Sequence, residues 1–217
     1  MIEKLACKLG RNDEVPNIEL AEYLCQQNDT AGIKEIVDGL KGIDKAVTND
    51  CIKVLYEIGE RCPTLISGFA NEFISFLRSK NNRLAWGSMM ALAKIVEFAP
   101  EPIFEKLPVI VAAYENGSVI TVDNSISVFA GLCKADEGYA ETVLPIILNH
   151  LKKCRPKDVP QHAERASVCF NNKNANDFNE VLEYRLLHGK RSNELPRLLL
   201  SIRTPSHIAR VFRVACP

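Results

Sequence analysis

The stretch 80–116, KNNRLAWGSMMALAKIVEFAPEPIFEKLPVIVAAYEN, decides how this chain is read. It breaks at Ala99-Pro100-Glu101-Pro102, since proline lacks the amide hydrogen and clashes inside a helix. Beyond the break, Leu107, Ile110, Val111 and Tyr114 stand at i, i+3, i+4, i+7, one face of a helix. The same face recurs every 37 residues: at Ala70, Phe73, Ile74 and Leu77, at Ile33, Ile36, Val37 and Leu40, and at Leu144, Ile147, Leu148 and Leu151. All sixteen positions are apolar. The helix before the break repeats at the same interval. Leu92 and Ile95 correspond to Leu55 and Ile58, to Ile18 and Ala21, and to Phe129 and Leu132. A further column, Cys51, Ser88 and Ser125, is small, which lets two helix backbones approach closely. Any amphipathic helix would match one column. One interval that serves both helices over four units is the informative fact.

A unit of two helices cannot bury its apolar face alone, so neighbouring units must stack into one continuous core. The interval lies between tetratricopeptide repeats (about 34) and HEAT or armadillo repeats (about 40 to 47). The tetratricopeptide pattern and the ankyrin signature T-P-L-H-x-A are both missing. The run from Ser79 to Ile95 resembles the HEAT consensus, in which a polar turn leads into an aliphatic residue, small residues and Ala-Leu. Leu84, Ser88, Ala91 and Leu92 hold those places; Ala85 stands where the consensus has arginine, with Arg83 two positions early. The resemblance covers residues 12–154. It implies an all-α fold, a right-handed α-α superhelix of HEAT-like helix pairs with about five to six repeats. It also implies a habit of binding proteins or nucleic acids, and no catalytic residues. The expected organisation is a single domain, 1–217. Residues 1–11 form an N-terminal cap, 12–154 four regular repeats, and 155–217 a degenerate repeat with a C-terminal cap.

In chain order the pattern predicts helices near 16–27, 30–42, 45–61 and 64–79, with Asn28-Asp29-Thr30 as a cap and Cys62-Pro63 as a break. Pro108 and Pro145 fall inside apolar stripes, where a kink or a late helix start is expected. The loop from Cys154 to Pro160 is the best internal boundary. Beyond it Arg185 and His188 fall where apolar residues belong. Asn171–Asp177 reads as a polar turn, and Thr204-Pro205 as the opening of a last helix.

Charge and cysteines bound the function classes. Twenty-seven basic and twenty-seven acidic residues cancel, so no global field selects a polyanion. The first residues carry charge and no long apolar run, so neither a signal peptide nor a membrane span is expected. The eight cysteines are spread through apolar faces without a C-x-x-C, so free thiols in a reducing cytoplasm are expected. His150 and Cys154, four apart on one helix, are the nearest approach to a metal site; two more ligands would be required, and neither metal nor cofactor is expected. The isolated Gly131 and Gly138 make no phosphate loop. The four histidines, all in the C-terminal third, form no nucleophile constellation.

The expected function is therefore a non-enzymatic scaffold. Its second helices would line a concave face and present Glu72, Arg78, Glu105, Lys106, Asn149 and Lys152 to a protein or peptide partner. Arg83 and Trp86 are candidate anchors, because Arg and Trp are enriched among interface hot spots. Packing between repeats is the plainer role for a lone Trp. Residues 183–213 carry seven basic and two acidic side chains, so nucleic acid could meet that segment, although a solvated face is the plainer account. The alternative from another class is a HEAT-like DNA glycosylase, which needs a basic groove, an acid and aromatic residues to hold a damaged base.

Overall fold

The computed structural model describes residues 1–171 and 174–188, apart from the side chains at 186 and 188. Thr204-Pro205 and most of the basic 183–213 segment lie outside the described residues. The described chain is all-helical, with no strand: α1 (Val15–Gln27), α2 (Thr30–Gly39), α3 (Lys45–Arg61), α4 (Ala70–Phe76), α5 (Asn82–Ile95), α6 (Pro100–Glu105), α7 (Leu107–Asn116), α8 (Val119–Ala135), α9 (Glu137–Lys153), α10 (Val159–Ala166) and α11 (Ala175–His188). Two compact units divide the chain, Met1–Val128 and Phe129–Pro217, and the division falls inside α8.

In the first unit α3 lies between α1 and α5, with α2 against α3 and α4 against α5. Ile33, Ile36, Leu55, Ile58, Phe73, Leu92 and Ile95 are completely buried there. The small column is buried to the same degree: Cys51, Ser88 and Ser125 each have zero exposure. Close approach is the reason for small residues. A Cβ added at Gly87 on α5 would stand 2.6 Å from Ile52 Cγ1 on α3, inside van der Waals contact. Ile2–Lys4 forms a 3-10 turn beside α1 and α2, with Leu5 and Ala6 buried and the Cys7 amide bonded to Asp50 Oδ2 at 2.8 Å.

The 37-residue interval recurs in the helix caps. Asp44, Asn81 and Ser118 each precede a first helix of a pair, and each accepts a backbone amide with its side chain: Ala46 N, Arg83 N and Thr121 N respectively. Such caps satisfy amides that have no partner inside the helix. Asp29 does the same for α2 through Gly32 N, and Asn28 closes α1 in the left-handed conformation at φ 48°.

Second helices depart from the expected regularity. The predicted helix 64–79 is two 3-10 turns, Pro63–Leu65 and Ser67–Phe69, followed by the short α4. Pro108 sits in the first turn of α7, which is a late helix start; α6 ends before it, because proline offers no amide to continue the ladder. Pro145, by contrast, lies inside α9 without ending it. The expected core column also breaks. Ile74 is buried, but Val111 and Leu148 are only half-buried, and Ile110 and Ile147 are the fully buried neighbours. A helix restarted at Pro108 need not carry on the inward direction of the one before it.

In the second unit α9 lies against α10 and α11, around buried Phe129, Leu132, Val143, Ile147, Leu151, Ala163 and Phe178. Phe170 stacks on Phe178 at 4.2 Å. Arg185, which breaks the apolar pattern of α11, has a role of its own: it donates to the carbonyls of Lys152 and Cys154, both at 2.7 Å. Those carbonyls belong to the last turn of α9 and the residue after it, where a helix has unpaired acceptors and favours a cation.

Candidate functional site

The side chains with the densest polar geometry lie on the first helices of unit 1. Lys53 projects from α3, nearly buried, and its ammonium meets Glu57 Oε1 at 2.8 Å and Glu14 Oε2 at 2.9 Å. Glu57 in turn accepts from Arg61 at 2.5 Å, and Arg61 reaches Glu22 on α1 at 3.1 Å. Glu14 also pairs with Arg83 of α5. The result is a ladder of alternating sign across three helices: Arg83, Glu14, Lys53, Glu57, Arg61, Glu22. Its charges cancel.

An aromatic strip runs beside the ladder. The Lys53 ammonium lies 4.9 Å from the centre of the Tyr56 ring, the Tyr56 and Trp86 rings are 6.0 Å apart, and the Arg83 guanidinium lies 5.8 Å from the Trp86 ring. Cations near ring faces are attracted by the ring quadrupole. Tyr56 is buried and Trp86 is half-buried, so the strip reaches solvent in part at its Trp86 end.

The pairing moves the ionisations apart. Burial works against the charge on Lys53, but its bonds to Glu57 and Glu14 outweigh that cost and raise its pKa. The Lys53 bond lowers the Glu14 carboxyl in spite of burial. Burial opposes the charge on Glu57, yet bonds from Lys53 and Arg61 bring it below the ordinary value. Burial raises Tyr56. Lys53, Glu14 and Glu57 are thereby held in the charged form.

Of the candidate residues read from the sequence, Arg83 and Trp86 are brought into this constellation. The others are not. Glu72 is half-buried, while Arg78, Glu105, Lys106, Asn149 and Lys152 are exposed on second helices or beside them, none within the ladder. Glu14, Glu22, Lys53, Tyr56, Glu57 and Arg61 were missed. The i, i+4 series Lys53, Glu57, Arg61 was visible as a polar stripe on α3, but its partners, Glu14 just before α1 and Glu22 on it, needed the helix crossing.

The second unit holds a different cluster. His150 Nε2 and His162 Nδ1 are 2.8 Å apart, both rings buried. With the half-buried Cys154 they form a group whose candidate ligand atoms all lie within 4.8 Å of one another. The sequence pairing of His150 with Cys154 lacked the third member, which arrives from α10 after the chain turns at Pro156–Asp158. Burial pushes the Cys154 thiol up to about 11, with Arg185 pulling the other way.

No family model matches the chain, and no curated protein does. Among solved structures the chain is similar to the crystal structure of an engineered protein from a structural genomics consortium. The TM-score is 0.64 at 16% identity, over 92% of this chain and 94% of that one. Likeness at that identity concerns the fold alone.

Proposed function

We propose that this chain is a non-enzymatic binding scaffold. Its helix pairs are HEAT-like repeats, about five to six, stacked as a right-handed α-α superhelix, and its partner is a protein or peptide. The observation that carries the reading is the neutral ladder beside the half-buried Trp86 and Arg83. A rigid aromatic anchor next to an arginine is the composition of an interface hot spot. Side chains already held by ion pairs lose little freedom when a partner arrives. A phosphate backbone, in contrast, is gripped by uncompensated positive charge, which the ladder does not offer. On this reading the docking face is on α3 and α5 rather than on the second helices.

Affinity capture from the cells that make the protein tests this. A partner retained by the parent and by Glu105→Lys, and lost with Trp86→Ala, is the expected result. A reproducible turnover on a substrate panel, abolished by one point substitution, would overturn the scaffold reading.

A further inference from the structure

Three side chains with metal-ligating chemistry converge at the end of α9. His150 and Cys154 are four residues apart, and the Cys154 amide still bonds the His150 carbonyl at 2.8 Å, so the last turn stays closed and both side chains share one face. The turn Pro156–Asp158 then reverses the chain, and α10 returns with His162 opposite them. Two ties hold this reversal. Arg155 Nε meets Asp158 Oδ2 at 2.5 Å, and Arg185 from α11 clamps the carbonyls of Lys152 and Cys154.

We propose that His150, Cys154 and His162 form a binding site for a borderline-soft divalent cation of the zinc class. Three protein ligands hold the ion, and a water takes the fourth position. The donor set selects the cation: a thiolate and two imidazoles suit zinc and its neighbours, whereas magnesium and calcium take oxygen donors. Tetrahedral zinc with nitrogen at about 2.0–2.1 Å and sulfur at about 2.3 Å holds its ligand atoms roughly 3.3–3.6 Å from one another. The candidate ligand atoms already lie within 4.8 Å, and the two ring nitrogens, at 2.8 Å, need to separate by about half an ångström.

The surroundings are compatible with the ion's charge. The thiolate cancels one of its two positive charges. Arg155 and Asp158 neutralise each other, and the Arg185 guanidinium is engaged on two carbonyls. The half-buried Cys154 gives the ion a route in, and the buried histidines exclude bulk water from the other side. A three-ligand arrangement leaves one position to water or another exchangeable ligand. A plain hydrogen bond between two imidazoles would explain the histidine contact and would leave the Cys154 thiol on the Leu151 carbonyl, 3.8 Å away. Cys154 is therefore where the two accounts separate.

The experiment uses the full, untagged chain under a thiol-free reductant, titrated with Co²⁺ and then with Zn²⁺. One equivalent of Co²⁺ is expected, with a thiolate-to-metal charge-transfer band and d–d bands of tetrahedral intensity, both erased by Zn²⁺. Cys154→Ser should abolish the charge-transfer band and weaken binding at least about 100-fold; His162→Gln should weaken it comparably. Cys62→Ser, in the other unit, should change nothing. In the unsubstituted chain, Zn²⁺ should slow alkylation of Cys154 while Cys62 keeps its rate, a readout that no folding defect can imitate. Absence of saturable binding at micromolar metal would overturn the proposal. So would a Co²⁺ spectrum unchanged in Cys154→Ser, or equal alkylation of Cys154 with and without Zn²⁺.

Discussion

Lys53 is the side chain on which the unit 1 ladder hinges, since it touches both Glu14 and Glu57. Replacing it with Met keeps its stem and removes the charge. Glu57 retains Arg61 and Glu14 retains Arg83, so the expected loss is about 1–2 kcal/mol, seen as a lower midpoint in a thermal melt. The pH dependence has a definite sign. Glu14 and Glu57 titrate below their ordinary value of 4.5, so the stability they contribute is complete above that pH and is lost as pH falls through their folded values. The melting temperature should drop on acidification from about pH 5. Glu57→Gln should flatten part of that drop; an unaltered slope would show that the pair adds nothing. Lys53, raised, adds stability that is lost only above the ordinary lysine range, as pH rises through its folded value. A separate test concerns Gly87. A helix gains about 1 kcal/mol from Gly→Ala by propensity. Here the new methyl would collide with the branched side chain of buried Ile52, and overpacking costs about 1–3 kcal/mol. Gly87→Ala should therefore melt lower than the parent. Gly68→Ala, which meets nothing within 4 Å, should not.

At the scale of elements, the first helices were more legible than the second. Helix 45–61 was read at its true ends, with Cys62-Pro63 as the local signal that stops it; the Asp44 cap at its start is an equally local signal that the reading did not use. The segment 64–79 was read as one helix because its apolar spacing suits one. The interruption comes from Ser67-Gly68, where the Ser67 hydroxyl bonds the Thr64 carbonyl and so offers the backbone an alternative. Val111 was expected in the core on the same spacing argument, and periodicity cannot tell which neighbour faces inward after a helix has restarted. The substitution test shifts accordingly. Ile110→Asp, at a fully buried position, should cost several kcal/mol, and Val111→Asp distinctly less. Two thermal melts decide it, and the reverse order would contradict the packing of α7. The candidate site was legible only where its members lie on one helix. Arg83 and Trp86 share a turn of α5 and were found; the Glu14–Lys53 pair spans two helices and was not. The same limit hid His162 from His150 and Cys154. Arg185 looked like an error in an apolar stripe because its partners are backbone carbonyls, which leave no mark in a sequence. Arg185→Ala should lower the melting temperature of the chain by removing two bonds to carbonyls, about 1–2 kcal/mol.

For the whole molecule, the all-helical composition was legible throughout the described residues, because a 3.6-residue period was sustained over both helices of each pair. Far-UV circular dichroism should be that of α-helix without a strand component. No helix among the described residues is long and apolar enough to cross a membrane. With basic and acidic residues balanced, a mobility-shift assay at low salt should show no retardation of duplex DNA. A shift would point to the nucleic-acid alternative. The cap series Asp44, Asn81 and Ser118 bears on how the chain could be lengthened or shortened. Excising residues 44–80 would join Ile43 to Asn81, so one cap replaces another at the splice. Behind it Ser88 would inherit the place of Cys51, Leu92 that of Leu55 and Ile95 that of Ile58. An in-phase cut of this kind should heal into a shorter protein that is still helical and melts cooperatively at lower temperature, whereas removing 44–75 puts every column out of phase and should not. If the in-phase cut heals in this way, such a segment would be a unit of inheritance as well as of structure, and a gene built of such segments would change length in a single step without passing through an unfolded ancestor.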